Sequence, residues 1–174
     1  MKKRILAAVL AAVVSLGLVS AAEANQHDVS VSRAEFVGTL HGLLMLSTDG
    51  GTSQFSDVTS GTSFLSAIVW AERVGVVDGM GDGSFAPDEP ITREQAATIM
   101  FDYLQFVGFG QDSRPVPWFI DMNQVADWAV DGVMFVGLNN LMDTIGSPRF
   151  DPQGLVTQAE MDEWIPRLLT FAGT

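Results

Sequence analysis

Three short segments carry the side chains best suited to binding chemistry: Ser32-Arg33-Ala34-Glu35, Thr92-Arg93-Glu94-Gln95 and Thr157-Gln158-Ala159-Glu160. In each, a hydroxyl stands three residues before a Glu or Gln. That spacing forms a capping box: the Ser or Thr oxygen accepts the N3 amide, and the Glu or Gln returns to the N-cap amide. Ser32 with Glu35, Thr92 with Gln95 and Thr157 with Glu160 are therefore expected to open three helices. Arg33 and Arg93 fall at the first helical position, where amides lack intrahelical partners and the dipole is positive. A guanidinium there adds a planar fork matched to a carboxylate. Gln158 keeps an amide at that position but no charge. The same pattern also reads as plain capping with the arginines in solvent, and the segments alone do not choose.

Other chemistries fit poorly. Asp78 to Glu89 has the length of a calcium loop, but Met80 stands where an oxygen ligand is needed and Pro87 stiffens the end. No metal or cofactor is expected. His27 and His41 lie in separate segments, with no zinc or triad spacing around them. The chain has no cysteine, which excludes thiolate chemistry. Nine Lys and Arg stand against 21 Asp and Glu, for a net charge of −12. Such a surface does not suit nucleic acid, whose binders neutralise phosphates with basic patches.

The elements that would position these residues begin after a leader. Lys2, Lys3 and Arg4 precede an apolar run from Ile5 to Val19, and Ala22-Glu23-Ala24 fits a cleavage site. Residues 1–24 thus read as a secretory signal peptide, with an apolar stretch shorter than the roughly 20 residues of a spanning helix. Its removal takes away three cations and Glu23, moving the charge from −12 to −14. The remaining cations are all arginines.

The rest of the chain repeats itself. Ala67–Leu104 aligns with Gly132–Leu169, and Phe85-Ala86-Pro87-Asp88 falls on Phe150-Asp151-Pro152-Gln153. Phe55-Ser56-Asp57-Val58 matches Phe119-Ile120-Asp121-Met122, and Val31–Phe36 matches Ile91–Ala96. The expected division is a partial first repeat at 25–50, a second at 51–110 and a third at 111–174. The first lacks its Phe-x-Asp-Val half. Each full repeat reads as two helices around a turn-rich loop. The first helix is expected from about Thr62 to Val74, with its copy from about Gln124 to Val136. Val31, Ile91 and Val156 occupy the staple position before each cap. The expected fold is all-α.

The order Phe-x-Asp-Val, helix, Gly turn, Asp-Gly-x-Phe-x-Pro and Ile-Thr-Arg-Glu resembles the S-layer homology family over about residues 29 to 170. The resemblance implies a pseudo-threefold spindle of helical repeats at the bacterial surface, the first repeat incomplete. It implies non-covalent binding of cell-wall polysaccharide, often a pyruvylated secondary polymer attached to peptidoglycan, and no catalysis. Its motif arginine lies in inter-repeat grooves and helps hold the acidic sugar. On that pattern Arg33 and Arg93, with Ser32, Thr92, Thr157 and Gln158, are the expected ligand-binding residues. Trp70 and Trp128 are secondary candidates for stacking on sugar. No room is left beside the repeats for a catalytic domain, so no enzyme is expected. No membrane partner is expected after cleavage, because the polar helix faces lack Lys and Arg. A second reading is an envelope or S-layer assembly unit that completes its repeats with a partner chain or a second copy.

Overall fold

The computed structural model describes residues 29–45, 50–109, 119–142 and 148–173. The expected signal peptide, His27 and the Asp143 copy of Asp78 lie outside the described residues. Three capping segments open three helices: α1 at Arg33–Gly42, α3 at Arg93–Phe106 and α5 at Gln158–Gly173. Two further helices, α2 at Leu65–Val74 and α4 at Val130–Leu138, complete the described α-helices. Both Ser32 with Glu35 and Thr92 with Gln95 form full capping boxes. At α5 the Thr157 amide donates to Glu160 Oε2 at 2.9 Å, and the Glu160 amide returns to the Thr157 hydroxyl at 3.3 Å. Among the described residues no strand forms, and the fold is all-α.

The first helix of each repeat starts later than the periodicity suggests. Thr62 spends its hydroxyl on the Thr59 amide at 2.8 Å, and α2 begins only after Phe64 turns left-handed at φ 56°. In the copy, Ala126 is extended and gives its amide to Glu94 Oε2 at 3.0 Å. Two 3₁₀ turns, Met122–Gln124 and Asp127–Ala129, therefore fill the stretch before α4.

The three staple residues do more than pack. Val31 N donates to Val156 O at 2.8 Å, Val156 N to Ile91 O at 3.0 Å, and Ile91 N to Val31 O at 2.9 Å. The result is a closed ring of three hydrogen bonds that joins the lead-ins of α1, α3 and α5. All three residues are buried, so each bond satisfies groups that water cannot reach.

Around this ring, α2 packs on α1 and α4 packs on α3. Each repeat's first helix thus covers the second helix of the repeat before it. At the α3–α4 crossing Gly132 is required: a Cβ there would meet Thr98 Cα at 2.7 Å. Phe36, Phe85, Phe150 and Trp164 are fully buried between the elements. Each such side chain contributes about 1.5–3 kcal/mol of burial.

The Phe-x-Asp-Val segments act as brackets for the loops. Asp57 accepts the amides of Phe85 and Ala86 at 2.8 and 2.7 Å, and Asp121 accepts those of Phe150 and Asp151 at 2.9 and 2.8 Å. Ala86 and Asp151 both sit at positive φ, 57° and 56°, a strained conformation for side chains with a Cβ. The carboxylates hold that turn in place. Burial works against the charge of Asp121, but its two amide partners outweigh that and keep its carboxyl below the ordinary value.

Candidate ligand-binding site

The bracketed loops present a carbonyl to each motif arginine. Arg33 Nε donates to Phe85 O at 2.8 Å, and Arg93 Nε donates to Phe150 O at 2.6 Å. Each guanidinium also lies over the same phenylalanine's ring, at 4.9 and 5.1 Å. Both arginines are buried, at 4% and 1% exposure, rather than standing on an open groove as expected. The reason is that the loop of the following repeat folds over the helix start and offers both a carbonyl and an aromatic face.

The helix N-terminal amides are not open either. Arg33 N and Ala34 N donate to Glu89 O and Pro87 O, both at 3.0 Å. Arg93 N and Glu94 N donate to Gly154 O and Pro152 O, at 2.9 and 3.0 Å. Gln158 N is taken by Val29 O, and the Gln158 side chain pairs with Asp162. The expected cradle of free amides is consumed by the neighbouring repeat, and Ser32, Thr92 and Thr157 are occupied as caps.

The two junctions then diverge. Arg93 forms an ion pair with Glu160 and also lies over the Trp164 ring at 5.1 Å. The repeat places Gln95 where Glu160 stands, so the first junction has no such carboxylate. Gln95 uses its Oε1 on the Thr92 amide at 3.1 Å. Among the described residues Arg33 has no ion pair, and its Phe85 carbonyl bond involves only Nε. Burial is the larger influence on this guanidinium and lowers its proton affinity, while Asp57 partly restores it.

Arg33 and Gln95 line a cavity of about 460 Å³ together with Val76 to Gly81, Thr98, Ile99, Asp102 and Trp128. That is within the usual range for small-ligand sites. Trp128 is 57% exposed at this cavity, an aromatic face carried by the middle residue of the second 3₁₀ turn. Glu94 positions that turn through the Ala126 amide and also accepts from the Gln153 side chain at 2.7 Å. Trp70, the other tryptophan candidate, is a core residue instead, packed against His41, Tyr103 and Phe106.

Asp78 and Asp102 complete the lining. Burial, then the nearby Asp78, raises the Asp102 carboxyl to about 6. Sequence reasoning singled out neither Asp102 nor Glu94. The one signal available was that each breaks the aligned pattern: Glu94 stands against Ala34 and Ala159, and Asp102 stands against an opposite charge, Arg167 in α5.

The S-layer homology domain family matches residues 54–97, which run from the Asp57 bracket through the capping box of α3. Over 132 residues the chain is 30% identical to Exoglucanase XynX of Acetivibrio thermocellus, covering 75% of this chain and 12% of that protein. It is 30% identical over 145 residues to Amylopullulanase of Thermoanaerobacterium thermosulfurigenes, covering 83% and 8%. It is 26% identical over 134 residues to the Surface-layer 125 kDa protein of Lysinibacillus sphaericus, covering 75% and 11%. The chain thus spans only a small part of each relative, too little to carry either enzyme's activity to it. What the enzymes and the surface-layer protein share with this chain is the repeat region. The chain belongs to the S-layer homology family, whose domain occupies residues 54–97.

Proposed function

We propose that this chain anchors to the cell envelope by binding an acidic cell-wall saccharide, non-covalently, in the cavity between α1 and α3. The carrying observation is the Arg33 guanidinium: buried, lining that cavity, and without a carboxylate partner among the described residues. A buried cation without a counter-charge is costly, and a ligand carboxylate supplies one. Trp128 offers the apolar face of a pyranose ring a stacking surface, and Thr98 and Gln95 offer hydrogen-bonding groups for hydroxyls. A ketal-linked pyruvate on a peptidoglycan-attached polymer has the required carboxylate. On this reading the protein is exported through the 1–24 leader and acts at the surface without catalysis. Arg93, already paired with Glu160, belongs to the scaffold rather than to the ligand.

The test is binding of the secreted chain to purified sacculi, with and without their secondary polymer. Arg33→Ala should lose roughly tenfold or more, the worth of a charge-assisted bond. Gln95→Glu should lose as much, because a carboxylate at 95 would occupy Arg33 as Glu160 occupies Arg93. Equal binding by wild type, Arg33→Ala and Gln95→Glu would overturn the proposal.

The assembly reading finds less support. The α3 positions that receive α4, Ala97 and Phe101, are buried and apolar; their counterparts on α5 are Asp162 and Pro166, both exposed. An exposed Glu163–Arg167 pair lies on the same stretch of α5. Such a face suits water better than a docked helix.

A further inference from the structure

We propose that Asp102 gates the Arg33 cavity, so that an anionic saccharide binds together with a proton. The proposal rests on the reading of that cavity given above. Three charged residues line it: Arg33 from α1, Asp78 from the loop after α2, and Asp102 from α3 itself. The second 3₁₀ turn contributes Trp128, which is uncharged. With both aspartates ionised the lining is net negative, and an arriving carboxylate meets one cation and two anions. With Asp102 protonated the lining is neutral, and its hydroxyl can donate to the ligand. Asp102 is only partly exposed and makes no hydrogen bond among the described residues, so no donor holds it ionised. Burial, and then Asp78, raise its carboxyl to about 6. An anion seated on Arg33 adds another negative neighbour and raises that value further. By linkage, binding must then strengthen as pH falls through this window. Specificity follows too: the aspartate pair favours a saccharide with a single carboxylate over one bearing a dianionic group.

The experiment uses the full secreted chain and, as probe, the pyruvate ketal of methyl glucoside, followed by calorimetry at about pH 5 and about pH 8. A one-unit rise in the Asp102 titration on binding is a tenfold change in affinity. Wild type should therefore bind about tenfold tighter at the lower pH, with net proton uptake on binding greatest midway between the two pH values. Asp102→Asn should bind with equal strength at both. Asp102→Asn also reports its own folding. A carboxyl raised in the folded state binds more protons there than when unfolded, so it lowers stability as pH rises through its window. The variant should melt higher than wild type at about pH 8. Wild-type binding that is equal at the two pH values would overturn the gate and leave the Arg33 site standing. A pH dependence that persists in Asp102→Asn would do the same. Absence of probe binding at both pH values would overturn the gate and the site together.

Discussion

The two arginine junctions share an Arg at the first helical position, a Phe carbonyl on its Nε, a Phe ring beneath it and an Asp bracketing the Phe amide. They differ at one carboxylate. Glu160 pairs with Arg93, and Gln95 leaves Arg33 without such a pair. One scaffold thus yields a structural clamp at the second junction and a cavity with an unmatched cation at the first. A capping box is indifferent to the change, because Glu and Gln both return to the N-cap amide. The position is therefore free to decide between an ion pair and an unmatched cation.

The largest effect should come from breaking the clamp. Arg93→Ala removes the ion pair, the Phe150 carbonyl bond and two ring contacts, and should cost about 3 kcal/mol in urea unfolding. Glu160 is partly exposed and can be solvated, which keeps the loss at the low end for a buried pair. Arg33→Ala should cost less, about 1–2 kcal/mol, since no ion pair is lost. Should both variants unfold alike, the junctions are not different in kind.

Converting the first junction into the second is the sharper test. Gln95→Glu should gain about 1–2 kcal/mol while reducing sacculus binding. A variant that gains stability and keeps its binding would separate the ion pair from the site.

The brackets should differ by burial. Asp121 is 2% exposed and Asp57 is exposed, so Asp121→Asn should cost about 2 kcal/mol and Asp57→Asn less. The amides of Phe150 and Asp151 hold the Asp121 carboxyl below its ordinary 3.8 despite burial. Its contribution is therefore present above 3.8 and lost as pH falls through the lowered value. Thermal midpoints of wild type should drop below about pH 4, and those of Asp121→Asn should drop less.

The smallest effect belongs to the core between the junctions. The Tyr103 hydroxyl is buried without a hydrogen-bond partner, and burial pushes its proton loss far up. Tyr103→Phe should be neutral or stabilising by up to about 1 kcal/mol, measured by urea midpoint.

The caps were legible because their signal is local: a hydroxyl and an acid or amide three residues apart. The arginines' position at the helix start was legible for the same reason. Their burial was not, since it depends on Phe85 and Phe150, more than fifty residues downstream. The replacement of Glu by Gln at 95 was visible in the alignment of repeats, but only its capping role could be read there. Its larger meaning appears once Arg33 and Gln95 line one cavity. The start of α4 was misplaced because Glu94, on another helix, holds the Ala126 amide. Asp57 and Asp121 were visible as a repeated motif whose partners, the Phe amides, lie across the loop.

The ring formed by Val31, Ile91 and Val156 also sets the order in which the molecule can be completed. Two of its three bonds need Val156, and one of those reaches back to Val31 across nearly the whole described chain. A chain released from one end to the other can form the local helices early, but this ring only when its last helix begins. Closing so long a loop is slow, because its entropy is lost before the contact repays it. The repeats are therefore alike in sequence yet not separable as folding units. The amides of Val31, Ile91 and Val156 should exchange with solvent at a common rate, the rate at which the entire structure opens.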